Sequence, residues 1–231
     1  MGKLRLALLV PSNHLRGPNI FTKNLVLGLI NKDISVTVFY FKSYINDVVD
    51  FGCLSREISF FDTSWVEDFD IIHSTQAIPD LYLAVHRNKI SCVKIASMHN
   101  EIGEDLKRLY PKFKAHMIFK VWKMALDRID NIIVSSSSQM SYYKKILKSD
   151  TNFFTIPYGI PPAEVKIIFN SHRDTLEYFK SEYAVIGACG LYIERKGFDQ
   201  LIRVLSHRKD LALVLVGDGP LRRDLESLAE K

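Results

Sequence analysis

Along this chain, short apolar runs alternate with longer stretches of helical spacing. Leu4–Val10 is apolar apart from Arg5 and is stopped by Pro11, the pattern of a strand buried on both faces of a parallel sheet. The polar loop 12–18 then leads into a helix beginning near Asn19, with Phe21, Leu25 and Leu29 on one face. Further strands are predicted at 35–41, 57–61, 70–75, 92–97 and 131–135. Between them, helices are predicted over 79–86, after Pro111, and from a serine cap at Ser135–Ser138 to Leu147. Strand alternating with helix is the signature of an α/β fold built on a parallel sheet.

The same rhythm restarts late in the chain. Tyr183 opens a β-branched-rich run that reaches Gly190, and an amphipathic stretch follows Gly197; a second run, Leu211–Val216, ends in Gly217-Asp-Gly-Pro220. Parallel sheets hold their ligands beyond the carboxyl ends of the strands. Arg195 and Lys196 stand there, directly before Gly197. Two cations beside a helix start suit phosphate, so this loop reads as the diphosphate end of a nucleotide site. His99 follows the strand predicted at 92–97 and holds the equivalent position in the first half.

Composition narrows the picture. At 231 residues, with 47% hydrophobic and 25% charged residues, the chain is globular rather than disordered. A net charge of +5 suits anionic substrates or a membrane surface but is too weak to indicate nucleic acid. The apolar run at the N-terminus is too short for a signal peptide or a membrane span, and a cytoplasmic protein is expected. Cys53, Cys92 and Cys189 lack metal-ligand spacing and read as buried free thiols. The first loop has one glycine, Gly17, and no Gly-x-Gly-x-x-Gly, so a classical dinucleotide cofactor is not expected. Asp68-Phe-Asp70 opens a buried strand rather than forming a metal motif, and no nucleophile elbow surrounds the serine run. Neither a metal nor another cofactor is expected.

Gly190-Leu-Tyr-Ile-Glu-Arg-Lys-Gly-Phe-Asp-Gln-Leu-Ile202, with Leu215-Val-Gly-Asp-Gly-Pro220 downstream, resembles the second domain of the group 1 (family 4) retaining glycosyltransferases. Those enzymes move a sugar from a nucleotide-sugar donor and have the two-Rossmann-domain GT-B fold. Asp70-Ile-Ile-His73, Asp130-Asn-Ile-Ile-Val-Ser135 and Ile156-Pro-Tyr-Gly-Ile160 resemble successive segments of the family's first domain. The resemblance implies an N-terminal Rossmann-like, acceptor-side domain over 1–165 and part of a C-terminal nucleotide-sugar-binding domain over 166–231. It implies that Lys196 contacts the donor diphosphate, that Gly17 and Gly190 lie beside the donor, and that His99 faces the donor sugar in a catalytic role. Leu191 stands where the family has Arg, and Arg195 is the residue that could replace it. Tyr158 stands where Asn is usual, and Pro161 where Asp is common.

The implied function is transfer of a sugar from a UDP- or GDP-sugar to a glycan or lipid-linked acceptor in surface polysaccharide or lipopolysaccharide synthesis. A non-catalytic acceptor- or partner-binding remnant is the alternative, and a sugar-nucleotide epimerase of the same architecture fits the Lys196–Gly197 loop less well. The family's pair of glutamates separated by seven residues is absent, and the sequence ends inside a helical pattern at Leu225–Lys231. The expectation is therefore a chain lacking part of its second domain and transferring little or no sugar alone. Segment 104–128 is the most basic, with Lys112, Lys114, Lys120 and Lys123 interleaved with Phe113, Met117, Val121 and Trp122. After Pro111 it reads either as a core-packed helix with a solvated lysine face or as a peripheral docking element for an anionic membrane.

Overall fold

The computed structural model describes residues 2–148, 150–160 and 173–230. The chain divides into two compact units, Met1–Ala163 and Glu164–Lys231. Pro161 and the expected domain boundary at 165/166 lie outside the described residues.

The first unit is built on seven strands: β1 (Leu4–Val10), β2 (Ile34–Tyr40), β3 (Leu54–Glu57), β4 (Ile71–Thr75), β5 (Val93–Met98), β6 (Asn131–Val134) and β7 (Asn152–Thr155). All are parallel, in the order β3-β2-β1-β4-β5-β6-β7. The helices are α1 (Gly17–Leu29), α2 (Ala77–Val85), α3 (Ile102–Leu109), α4 (Lys112–Leu126) and α5 (Ser137–Ile146). The chain moves one way from β1 to β2 and the opposite way from β4 to β7. Right-handed crossovers then place α1 on one face and the later helices on the other. Side-chain packing follows that division. Val26 of α1 clusters with Leu6, Leu8, Val10 and Phe51. Tyr82 of α2, Leu126 of α4 and Tyr143 of α5 cluster with Ala7, Leu9, Ile72 and Ile132. β1 and β4 are neighbours, so the point where the direction reverses lies between them, beside the ends from which α1 and α2 start.

Three local expectations change. β3 lies at Leu54–Glu57, not 57–61, and all four residues are exposed. An edge strand held by its backbone ladder to Thr37–Tyr40 needs no hydrophobic signature, while Ile58, just beyond it, is buried and gave the misleading apolar pattern. Gly17 begins α1 rather than lying in the loop, with Pro18 in the first turn, where its missing N–H costs nothing. The second helix starts at Ala77, two residues before Pro79. The helix expected after Pro111 is α4, and α3 precedes it in the same basic segment.

The second unit comprises α6 (Arg173–Glu182), β8 (Ala184–Cys189), α7 (Phe198–Leu205), β9 (Leu211–Val216) and α8 (Arg222–Ala229), with β8 and β9 parallel. Helix α6 leads directly into β8. Tyr192, Phe198 and Leu225 form the buried cluster, and no residue of β8 or β9 is buried. Cys189 is accordingly exposed, contrary to the buried thiol expected, whereas Cys53 and Cys92 are partly covered.

Candidate functional site

In the first unit, the loops at the carboxyl ends of β1, β4 and β5 are held by side chains. Asn19, buried in the first turn of α1, donates through Nδ2 to the carbonyls of Ser12 and His14, each at 2.7 Å. Asn13 exchanges hydrogen bonds with Tyr44, donating to its carbonyl at 3.2 Å and accepting from its N–H at 2.6 Å. These contacts shape the loop. Gln76, the single residue between β4 and α2, has φ of 75° and ψ of 171°, a glycine-favoured conformation that costs another residue roughly 1–3 kcal/mol.

His99 is the first residue after β5. Its Nδ1 pairs with the Tyr158 hydroxyl at 2.7 Å. The edge of Phe21, one turn into α1, approaches its ring at 4.7 Å between centroids. Phe21 also packs on Tyr158 at 5.0 Å. The backbone at His99 is fixed as well: Gln139 of α5 donates to its carbonyl at 3.0 Å and accepts from the N–H and hydroxyl of Ser135. Tyr143 donates to the carbonyl of Asn100 at 2.6 Å. Nε2 of His99 is buried and has no hydrogen-bond partner among the described residues. Burial depresses this imidazole to about 4, so at neutral pH it is uncharged. Tyr158 is raised by burial, partly offset by Ser135.

A second histidine lies beside it. His73, in the middle of β4, is buried, and its Nε2 pairs with Ser97 Oγ of β5 at 2.7 Å. Burial, and to a lesser degree His99, lowers His73 to about 4. His73, Ser97 and Tyr158, with Phe21, Leu25 and Ile133, line a largely apolar cavity of about 500 Å³ on the α1 face. His99 lines a second cavity of about 360 Å³ with Pro18, Gln76, Asn100 and Trp122. Ser97 and Met98 border both.

Behind the niche, Asp80 is fully buried in α2. It accepts from Ser74 Oγ at 2.6 Å and from Trp122 Nε1 at 2.7 Å. Burial pushes its carboxyl up to about 7 against those two hydrogen bonds. The cluster ties β4, α2 and α4 together; Trp122 borders the second cavity, whereas Asp80 and Ser74 line neither. Asp70, the second aspartate of the Asp-x-Asp sequence, is engaged by the Arg5 guanidinium at 3.0 Å and by its backbone N–H at 2.7 Å.

In the second unit, Gly190 directly follows β8 and Lys196 closes a single 3-10 turn, Glu194–Lys196. A Cβ at Gly190 would stand 3.6 Å from Cε of Lys196 and 3.5 Å from Phe198; the lysine stem therefore lies along the glycine backbone. Gly197 takes φ of 65°, turning the chain into α7. The Gly217-Asp-Gly-Pro220 loop runs against this segment: Gly190 donates to the Val216 carbonyl at 2.9 Å and Tyr192 to that of Asp218 at 2.8 Å. A side chain on Gly217 would collide with the Gly190 carbonyl oxygen. Arg195 and Leu191 are exposed.

Gly190 and Lys196 are thus brought together within the second unit. Gly17 is exposed one turn before Phe21, whose ring meets His99. The sequence reading missed His73, Ser97 and the pairing of Tyr158 with His99. One signal was available: Ile71–Thr75 places His, Ser and Thr inside a buried strand, and buried polar groups require partners.

No protein-family model matches the sequence. The O-antigen biosynthesis glycosyltransferase WclY of Escherichia coli is 24% identical over 246 residues, an alignment covering 98% of this chain and 65% of that protein. The chain thus spans a little under two thirds of the length of the curated relatives it matches. Among solved structures, HepE of Anabaena in complex with UDP superposes with a TM-score of 0.72 at 14% identity, over 98% of this chain and 65% of HepE. Sucrose-phosphate synthase of Thermosynechococcus elongatus gives a TM-score of 0.68 at 18% identity, over 98% and 67%. The lipopolysaccharide outer core galactosyltransferase WaaB gives a TM-score of 0.59 at 14% identity, over 98% and 64%. The fold is α/β and GT-B-like, with a seven-stranded Rossmann-like unit followed by a smaller parallel unit.

Proposed function

We propose that this chain is part of a glycosyltransferase that moves a sugar from a UDP- or GDP-sugar to a glycan or lipid-linked acceptor during assembly of surface polysaccharide or lipopolysaccharide. Residues 1–165 are the acceptor-side domain and 166–231 belong to the nucleotide-sugar-binding domain. The observation that carries the reading is His99 itself: a neutral imidazole at a strand's carboxyl end, oriented by Tyr158, with Nε2 buried and unpaired among the described residues. Such a nitrogen suits a hydrogen bond to a sugar hydroxyl, because the desolvation has already been met in the folded protein. Likeness over nearly the whole chain to WclY, named for O-antigen biosynthesis, supports the same class.

In this reading Lys196 neutralises the donor diphosphate, and Arg195 adds charge from the same turn. The glycine at 190 admits the lysine stem and the phosphate oxygens close to the backbone. Gly17 keeps the start of α1 open beside the donor. Negative charge builds on the departing nucleoside diphosphate, and fixed cations stabilise it without a metal being required. Transfer proceeds with retention, at the cytoplasmic face of the membrane. Among the described residues, no helix is long and apolar enough to cross a membrane.

Thermal-shift and calorimetric titration with UDP, GDP and their sugar conjugates tests the reading. One or more should bind, and Lys196→Ala should weaken binding about tenfold, the value of one charge-assisted contact. Unchanged affinity in that variant removes Lys196 from the site, and failure of every nucleotide to bind removes the donor role of this chain.

A further inference from the structure

Two faces of helix α1 do different things. Val26 packs on Leu6, Leu8 and Val10. Phe21, Asn24, Leu25 and Gly28 lie at helical spacing on another face, and together with Ile133 and Ile156 they wall the cavity of about 500 Å³. Its volume is ordinary for a small-molecule site. Among the described residues no lysine, arginine, aspartate or glutamate lines it. A phosphate or carboxylate entering there would shed its water with no opposite charge to meet it. Apolar molecules are what such cavities take up.

His73 is the polar exception. It is 5% exposed, and its Nε2 is spent on Ser97 Oγ, which leaves Nδ1 for a further partner. Ser97 borders the same cavity. A hydroxyl can donate or accept, so it would suit this pair in either tautomer. Gly28 adds a second sign. Glycine weakens a helix, yet a Cβ at Gly28 would meet nothing within 4 Å, so close packing does not explain it. Without a side chain there, the cavity wall stays open. The cavity is also tied to His99. Phe21 and Tyr158 line it, and these are the side chains that meet the His99 ring, at 4.7 Å between centroids and through the 2.7 Å hydrogen bond.

We propose that this cavity binds an uncharged alcohol with an apolar chain, its hydroxyl at His73 and Ser97 and its chain between α1 and Ile133. Phe21 and Tyr158 carry its arrival to His99. The site does not rest on sugar transfer, and its binding is read without nucleotide or acceptor. Titration of the full chain with 1-octanol tests it, followed through the imidazole resonances of His73 and His99. Both should shift with one saturating curve. Each buried methylene is worth about fourfold in affinity, so 1-hexanol should bind about fifteenfold more weakly than 1-octanol. Octanoate, as long but charged, should bind at least about tenfold more weakly. Gly28→Phe fills the cavity and should weaken octanol binding about tenfold or more, with the thermal midpoint held or raised. Equal affinity for hexanol and octanol, octanoate binding as tightly as octanol, or undiminished binding by Gly28→Phe overturns the proposal. Binding that shifts neither histidine puts the alcohol elsewhere and overturns it as well.

Discussion

The His99 niche and the Lys196 loop are built on opposite physical principles. His99 is held by side chains from three different segments: Phe21 on α1, Tyr158 after β7, and Gln139 of α5, itself held by Ser135. Its geometry is a product of packing, and its chemistry is set by burial. Lys196 is exposed and is placed by backbone geometry, through Gly190, Gly197 and the bonded Gly217 loop. A packed niche tunes protonation, whereas an exposed cation on a stiff loop needs no tuning to meet a diphosphate. The two regions should therefore respond differently to substitution and to pH.

The largest effect is expected where backbone placement is challenged. Gly217→Ala forces a side chain into the Gly190 carbonyl and should destabilise the second unit by about 3 kcal/mol or more. Amide exchange in β8 and β9 would accelerate. Both tryptophans, Trp65 and Trp122, lie in the first unit, so the fluorescence-detected transition should stay where it was. A shift of that transition would mean that the loop is not autonomous.

Protonation should distinguish the niche next. His73 and His99 titrate near 4 in the folded protein against 6.5 ordinarily. In that window the unfolded chain binds the extra protons, so stability falls as pH drops from about 6.5 to 4. Asp80, raised to about 7 from 3.8, binds its proton in the folded state and offsets one imidazole. The net acid loss is about 1.4 kcal/mol per pH unit, one proton's worth. His73→Gln leaves His99 and Asp80 opposed and should flatten the slope; denaturant melts at several pH values measure it, and an unchanged slope would show that His73 is not held neutral by the fold.

A smaller change in stability, about 1 kcal/mol, is expected from Tyr158→Phe, with a clear spectroscopic sign. Nitrogen chemical shifts of His99 should report one neutral tautomer in the natural sequence and a mixture in the variant, because the hydrogen bond at one ring nitrogen dictates where the proton sits. The same tautomer in both proteins would deny Tyr158 its positioning role. Lys196→Ala should move stability least, by less than about 0.5 kcal/mol; a larger drop in the second unit's exchange protection would mean that the lysine stem supports the loop.

Much of the fold was legible because burial on both faces writes long apolar runs. β1 and the strands ending in Thr75, Met98 and Val134 could be placed within a residue or two. β3 was not, since an exposed edge strand is made by backbone pairing that leaves no trace in side-chain pattern. In the candidate site, Lys196, Gly190 and the Gly217 loop could be singled out because a short-range glycine pattern encodes them. Tyr158 was visible only as a departure from a resembling motif. Its partner lies 59 positions away, and no local rule connects them. Helix α4 shows the same limit: its interleaved lysines and apolar residues were plain, but which apolar residues pack and which face outward depends on where α2 and α3 lie.

By itself, the sequence determined the alternation of strand and helix, the parallel sheet and the cationic glycine loop, because each rests on periodicity or on conformational freedom confined to a few consecutive residues. Only the tertiary structure decided that His73, Ser97, His99, Phe21 and Tyr158 share one niche, that two of its imidazoles are neutral, and that an apolar cavity opens beside α1. Those outcomes come from desolvation and contact between segments distant along the chain, and both exist only once the sheet has assembled.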